Sequence, residues 1–431
     1  MRKVLIISYF FPPCNLTASQ RVFSWAKHLN KSGYYPIVIT RKWERQIKSF
    51  KDCHYPTSDG VVIEKHNHYE VHYTPYKANL RDRLHTKNKF SVIKRLLSLF
   101  EIISQNFWFS ACPFSNIYDH ANGLIQEKSD ISAIIVSGNP FIQFRFGYRL
   151  NKSYNIPWIA DYRDAWTTST INNIGDNKIN SLINKYHRFF EKKWIKTASL
   201  ITASSGPIGN SISKITGVPS LAIFNGYEPS DFKDYESVEK NTDFFQVAYI
   251  GTLYSGQDIS IFIEAFKQFI DKTQAKAKII FPGLDLDVIQ KKRIEELMEG
   301  YEHFYETSSR IPKSEILKIE KSSHLLLHVA WKGFDGIIAS KIYEYIGSGT
   351  NVLVVPGDEG SIDQIVKEAK CGFIFNDSEP AFDFLCNEYK KFKQNRIKLS
   401  SVNKASEQFT RENQTKELAK LINNLLKLDK I

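Results

Sequence analysis

The chain has 431 residues, a formal net charge of +12 and 42% apolar residues. That length exceeds one ordinary core and predicts two domains, while the apolar share excludes bulk disorder. No stretch approaches the ~20 uninterrupted apolar residues of a transmembrane helix. The five cysteines at 14, 53, 112, 371 and 386 are odd in number and show no CxxC spacing, which fits a reducing cytoplasm and speaks against a disulfide framework or a thiolate zinc site. The positive charge suits nucleic acid, an anionic membrane or a phosphorylated substrate, and does not choose among them.

Met-Arg-Lys followed by Val4-Leu5-Ile6-Ile7 is too short an apolar run for an export signal, and Pro12-Pro13 follow without a small-residue cleavage site. The segment is expected to be the first strand, over Val4–Ser8. Arg21–Lys31 carries Val22, Trp25, Ala26 and Leu29 at helical spacing, and Tyr35–Thr40 reads as a second strand. Ala133–Ser137, Trp158–Ala160, Leu200–Ala203 and Leu221–Phe224 continue the series. Strands alternating with helical patterns predict parallel sheets covered on both faces. Residues 228–243 are polar and contain Pro229, so they read as a linker after an amino-terminal domain over 1–227.

A second domain over 244–395 is expected to hold strands at Val247–Ile250, Lys278–Phe281, His324–Val329, Val352–Val355 and Gly372–Phe375. Helices fall between them, as at Asp258–Lys272 and Ser314–Lys321. Residues 396–431 read as a carboxy-terminal helix, with Leu418, Leu421, Ile422 and Leu425 on one stripe.

One segment departs from this alternation. Between Lys77 and Arg95 lie Lys77, Arg81, Arg83, Lys87, Lys89, Lys94 and Arg95, opposed by Asp82 alone. An apolar stripe of Ile93, Leu96, Leu97, Phe100, Ile103 and Phe107 overlaps its end. A basic helix with an apolar face suits a membrane interface, so an insertion over 77–110 facing an anionic membrane is expected.

Ligands of doubly wound sheets sit at the carboxyl ends of the strands. Five such ends are rich in glycine, proline or polar residues. Ser8-Tyr9-Phe10-Phe11-Pro12-Pro13 leads to Asn15, Thr17, Ala18, Ser19 and Arg21 without the dinucleotide fingerprint GxGxxG. Ser137-Gly138-Asn139-Pro140 is the second. Asp161-Tyr162-Arg163-Asp164-Ala165-Trp166 is the third, and its charges need partners if buried. Tyr249-Ile250-Gly251-Thr252-Leu253 follows the first strand of the second domain, where a glycine frees backbone N–H groups for phosphate. Last comes Ser340-Lys341-Ile342-Tyr343-Glu344-Tyr345, ahead of Gly347 and Gly349. Lys341 and Glu344 share one face near a helix N-terminus, an amine suited to a diphosphate and a carboxylate suited to ribose hydroxyls. His66, His68 and His72 lie with Glu70 on one face of an alternating segment, which reads as the polar face of a half-exposed strand sooner than as a metal site. No nucleic-acid motif occurs among the interleaved basic and aromatic residues, and nucleic acid is not an expected partner.

These motifs together, in this order and at these separations, resemble the retaining glycosyltransferases of the GT-B fold, specifically the family-four enzymes that build bacterial surface polysaccharides. The Phe-Phe-Pro-Pro loop with Arg21, the Asp161–Trp166 cluster and Phe224-Asn225-Gly226-Tyr227-Glu228 are similar to that family's amino-terminal half. Gly251-Thr252-Leu253, Arg310-Ile311-Pro312-Lys313-Ser314-Glu315 and Ser340–Tyr345 are similar to its donor half.

The resemblance implies two Rossmann-like domains facing a cleft, and a hexosyl-type transfer from a nucleotide-sugar to a glycan or lipid-linked acceptor. It implies donor contacts from Gly251, Thr252, Ser340, Lys341 and Glu344, with Glu344 on the ribose and Lys341 on the diphosphate. Asp161, Arg163, Asp164 and Lys341 are then the expected catalytic residues, and Asn15, Thr17, Arg21, Asn139 and Trp166 face the acceptor. No cofactor is expected, because the nucleotide-sugar is a substrate and cationic groups can take a metal's place. The protein is expected in the cytoplasm, peripheral to the inner face of the membrane. The chain departs from the family at Thr252 and Gln257, where many members carry an arginine and a lysine. It departs again at Gly336, where many carry a glutamate eight positions before the ribose glutamate, with Asp335 beside it. The alternatives are a nucleotide-sugar epimerase or hydrolase on the same fold, which would act on the donor alone, and a nucleic-acid-binding protein.

Overall fold

The structure is a computed structural model that describes residues 1–87, 90–108, 111–128, 130–169, 178–396 and 401–428. The chain forms two compact units, Met1–Phe224 together with Gln414–Ile431, and Asn225–Asn413.

In the first unit the apolar runs become β1 (Arg2–Ser8) and β2 (Tyr34–Arg41), followed by β3 (Val62–Lys65) and β4 (Glu70–Thr74). Then come β5 (Ile131–Gly138), β6 (Trp158–Tyr162), β7 (Leu200–Ala203) and β8 (Ser220–Ala222). They form one eight-stranded sheet in the order β3-β4-β2-β1-β5-β6-β7-β8. All pairings are parallel except β3 with β4, a hairpin on the edge. The strand order reverses between β1 and β5. Val4, Ile6, Ile135 and Ile159 point to one face of the sheet, and Leu5, Ile7, Ile134 and Ala160 to the other, in two separate buried clusters. Burial on both faces is why these strands read as unbroken apolar runs.

The first helix runs Ala18–His28 and continues as a 3-10 turn over Leu29–Ser32, so it starts three residues before the expected Arg21. The carboxy-terminal helix spans Arg411–Leu428, and its Leu418, Ala419, Ile422 and Leu425 join the first unit's core beside Val22 and Trp25.

The second unit has β9 (Phe245–Ala248), β10 (Ala277–Pro282), β11 (Tyr305–Ser308), β12 (Leu325–His328), β13 (Val352–Val354) and β14 (Gly372–Ile374). The parallel sheet runs β11-β10-β9-β12-β13-β14 and reverses between β9 and β12. The polar stretch 228–243 is part of this unit rather than a bare linker. It holds a 3-10 helix over Pro229–Tyr235 with Phe232 buried. Lys240 Nζ donates to the Lys321 carbonyl at 2.9 Å and to Thr350 Oγ1 at 2.9 Å. A few anchors hold the segment in place, which its polar composition hides.

Candidate functional site

In the second unit, the topological switch point brings the ends of β9 and β12 beside the helix Lys341–Ser348. Ser340 precedes that helix without capping it through its side chain. Lys341 begins the first turn, and its stem is partly exposed while its Nζ is sealed from solvent. Among the described residues Nζ has no hydrogen-bond partner. It lies 3.5 Å from the centroid of the Tyr249 ring, just beyond β9. Burial drives its pKa well below the ordinary lysine value. His328, at the end of β12, is also buried, and its Nδ1 is also without a partner. Burial and then the Lys341 charge hold its pKa well down. An aromatic face attracts a cation but does not neutralise it, so this amine is set up to receive an anion.

Glu344, one helical turn on, is 34% exposed and lies 3.8 Å from Lys313 Nζ, which also meets Asp231 at 2.6 Å. Desolvation raises the Glu344 pKa against the pull of Lys313 and Arg411. Glu320, on the helix Lys313–Ser322, is fully buried, and neither carboxyl oxygen has a hydrogen-bond partner among the described residues. Burial, and then the charge of Glu344, push its pKa well above the ordinary carboxylate value.

The loop after β9 is built to stay open. Gly251 has φ +88° with free space where a side chain would be, so the backbone conformation itself requires the glycine. The Ile250 amide donates to Tyr345 Oη at 2.8 Å. Gln257 is buried and accepts from the Tyr254 amide at 3.0 Å and from Tyr249 Oη at 3.2 Å. It therefore braces the loop. A cation does reach this loop from elsewhere: Arg293 Nη2 donates to the Gln257 carbonyl at 2.9 Å. Asp335 accepts from the Ser361 amide at 2.9 Å and from Ser361 Oγ at 2.7 Å. It caps the helix Ser361–Ala369 from outside. Thr252 is exposed, beside Gly251.

In the first unit the expected cluster divides. Asp161, at 0% exposure, accepts from Arg21 Nη2 at 2.7 Å, Arg21 Nε at 3.1 Å, Ser137 Oγ at 2.8 Å and Thr202 Oγ1 at 2.8 Å. Arg21 is itself buried, donates to the Ile223 carbonyl at 2.6 Å and lies 4.9 Å from the Trp25 ring. This pair is sealed and satisfied, and it ties β5, β6 and β7 to the first helix. Asp161, expected to be catalytic, and Arg21, expected on the acceptor side, are thus joined in one sealed ion pair.

Asn15, expected on the acceptor side, holds the Ile47 backbone with both ends of its amide, at 2.9 and 3.1 Å. Asp164 is exposed and Arg163 lies against it at 3.3 Å, with its guanidinium over the Phe10 ring at 5.3 Å. Thr17 and Asn139 are exposed, and Asn139 stands in the loop after β5 at the switch point. Trp166 stacks on Phe141 at 5.2 Å and on Trp194 at 5.9 Å.

The histidine alternation does not survive folding. His66 and His68 lie in the β3–β4 hairpin turn, while His72 is buried and bonded to Glu70 at 3.2 Å and His120 at 2.6 Å. Among the described residues no group of three or more His, Cys, Asp or Glu side chains could hold a metal. Sequence reasoning missed Tyr249 and His328 as the walls around Lys341, and Glu320 behind Glu344. A histidine closing an apolar strand was the available signal for His328.

No family model matches the chain, and no curated protein sequence does. Its structure is similar to that of sucrose-phosphate synthase from Thermosynechococcus elongatus, with TM-score 0.62 and 13% identity over 99% of this chain and 100% of the other. It is similar to Anabaena HepE in complex with UDP and glucose, with TM-score 0.57 and 14% identity over 98% and 100%. It is also similar to the α,α-trehalose-phosphate synthase (UDP-forming) of Burkholderia vietnamiensis, with TM-score 0.62 and 10% identity over 99% and 100%. The fold is thus the GT-B fold of these glycosyltransferases, two parallel-sheet domains, as expected.

Proposed function

We propose that the protein is a glycosyltransferase that moves a sugar, with retention, from a nucleotide-sugar to a glycan or lipid-linked acceptor in surface-polysaccharide synthesis at the cytoplasmic face of a membrane. The observation that carries the donor assignment is the Lys341 amine, buried at the β9–β12 switch point with no hydrogen-bond partner among the described residues, with Glu344 one turn along the same helix. A buried amine without a counter-ion is costly as a cation. A diphosphate supplies the missing charge, and the first turn of the helix adds its N–H groups. Glu344 stays half-exposed, with an oxygen pair suited to vicinal ribose hydroxyls. When the glycosidic bond to phosphate breaks, negative charge grows on the phosphate oxygens, and Lys341 stabilises it. The acceptor hydroxyl gives its proton to the departing phosphate on the same face, so retention needs no protein nucleophile. In the first unit, Asp164, Arg163 and Asn139 remain available to orient the acceptor. The isolated cationic site and the shared fold support this reading.

HepE was solved with UDP and glucose, so UDP is the first probe. Calorimetry with UDP is expected to show Glu344→Gln weakening binding by about 1.5–3 kcal/mol, the worth of hydrogen bonds to a charged group. Lys341→Met is expected to lower kcat more than it weakens binding, because the amine meets more charge in the transition state. Folded variants that bind UDP and turn over like the wild type remove both residues from the site.

A further inference from the structure

The first unit presents an apolar surface on two helices that are far apart in sequence. The helix Ser91–Ser104 carries Leu96 and Phe100, and Trp108 follows it. The helix Lys178–Ile195 carries Leu182 and Phe189. These five side chains are 62–65% exposed. The helices are neighbours: Tyr186 Oη donates to the Ile103 carbonyl at 3.1 Å and accepts from Asn106 Nδ2 at 3.0 Å, and the Phe107 and Phe190 rings lie 5.9 Å apart. Single exposed apolar side chains are ordinary, but five on two helices that pack against each other fit an interaction site.

Charge selects the partner. The acidic residues of these two helices and of the preceding helix Leu80–Lys87 are Asp82, Glu101 and Glu191, and all three are buried. Asp82 accepts from Tyr76 Oη at 2.8 Å and Arg81 Nη2 at 2.9 Å. Glu101 meets Arg81 Nη1 at 2.9 Å, and Glu191 accepts from Tyr162 Oη at 3.0 Å. Arg83, Lys87, Arg95, Lys185, Arg188 and Lys192 are exposed. Every exposed charge of the described residues on these helices is therefore positive. Pairing the face with a second copy would set positive against positive, whereas an anionic bilayer offers negative headgroups to the rim and an apolar layer to the centre. No helix of the described residues is long and apolar enough to cross a membrane.

We propose that the paired helices Ser91–Ser104 and Lys178–Ile195 form one docking surface for an anionic lipid membrane. The expected basic segment supplies half of it, and Leu182, Phe189, Lys185 and Arg188 supply the half that its sequence did not show. Lys89 of that segment lies outside the described residues. The inference stands on the first unit alone and is independent of the transfer reading.

The test is flotation of the full-length protein with vesicles of phosphatidylcholine alone and with phosphatidylglycerol added. The wild type is expected to float only with the anionic vesicles. Raising salt from low to high is expected to cut binding by at least about tenfold, as screening shortens the reach of the rim charges. Leu182→Ser with Phe189→Ser, and separately Lys185→Gln with Arg188→Gln, are each expected to lose vesicle binding while thermal unfolding stays as in the wild type. All four side chains are exposed, so these variants test the surface and not the core. A wild type that ignores anionic vesicles at low salt overturns the proposal. So do variants that still bind, and so does a self-associating wild type whose dimer the Leu182 and Phe189 changes dissociate. UDP calorimetry on the same samples reads the donor site separately, so failure of one reading leaves the other measurable.

Discussion

A buried charge is understood through its partners, and Asp161 and Lys341 are opposite cases. Both were candidate catalytic groups by their places at strand and helix ends. Asp161 has four donors around it and no exposure, while Lys341 Nζ has an aromatic ring and an uncharged histidine. The sequence states that the charges after Trp158–Ala160 need partners, but it does not show that Arg21, 140 positions earlier, is the partner of Asp161. Nor does it show that Lys341 has no carboxylate partner among the described residues while Glu344 has Lys313. Asp161→Asn is expected to destabilise the first unit by about 3–5 kcal/mol, because Arg21 keeps its charge in a buried place without its counter-ion. Chemical denaturation followed by the first unit's tryptophans measures this. A variant as stable as the wild type but inactive would return Asp161 to the chemistry.

Among the elements, the buried parallel strands and the edge strands β8 and β14 were legible, and the other two edges were not. β1, β2, β5, β7 and β10 fall within a residue or two of the apolar runs that announced them, since strands covered on both faces are mostly apolar. The hairpin β3–β4 and the edge strand β11 escaped notice: β3 is exposed along its length and β11 partly so, and neither carries a continuous apolar signal. A central strand can also hide a titratable group. His324, just ahead of β12, is buried between Phe245 and Phe392, and its Nδ1 accepts from the Gln246 amide at 2.9 Å.

Burial, followed by the charge of Lys240, lowers the His324 pKa from 6.5 to about 4. The unfolded chain therefore takes up a proton near the ordinary histidine value while the folded chain does not. Stability contributed by neutral His324 is complete above that value. It declines as the pH falls from 6.5 towards 4, by about 3 kcal/mol in total at 1.36 kcal/mol per unit. His324→Phe removes the acceptor and is expected to be less stable at neutral pH, but with a flatter loss of melting temperature across that window. Parallel curves for the two proteins would show that another group sets the acid limb.

At the level of the whole molecule, the two-unit organisation was legible because strands and helices alternate twice with a polar stretch between. Its boundaries were less so. Residues 228–243 fold with the second unit, and the last helix belongs to the first, whose core receives Leu418 and Ile422 at 0% exposure. The stripe that predicted this helix says that one face is buried, not which unit buries it. Three polar contacts help to define the seat: Phe224 N donates to Gln414 Oε1 at 2.8 Å, Tyr34 Oη donates to Asn423 Oδ1 at 2.6 Å, and Ser24 Oγ lies 3.3 Å from Thr415 Oγ1. The chain thus crosses from the first unit to the second at 224–225 and returns at 413–414. A lesion at the end of the sequence should therefore be felt near its beginning. Leu418→Ala leaves a cavity against Val22 and Trp25 and is expected to cost about 2–5 kcal/mol. Removing 414–431 exposes that whole face and is expected to unfold the first unit outright. Limited proteolysis read by mass spectrometry distinguishes the units. Cleavage should spread through 1–224 while 225–413 keeps its protection, and a truncated protein that loses the second unit first would mean that the helix is seated there instead.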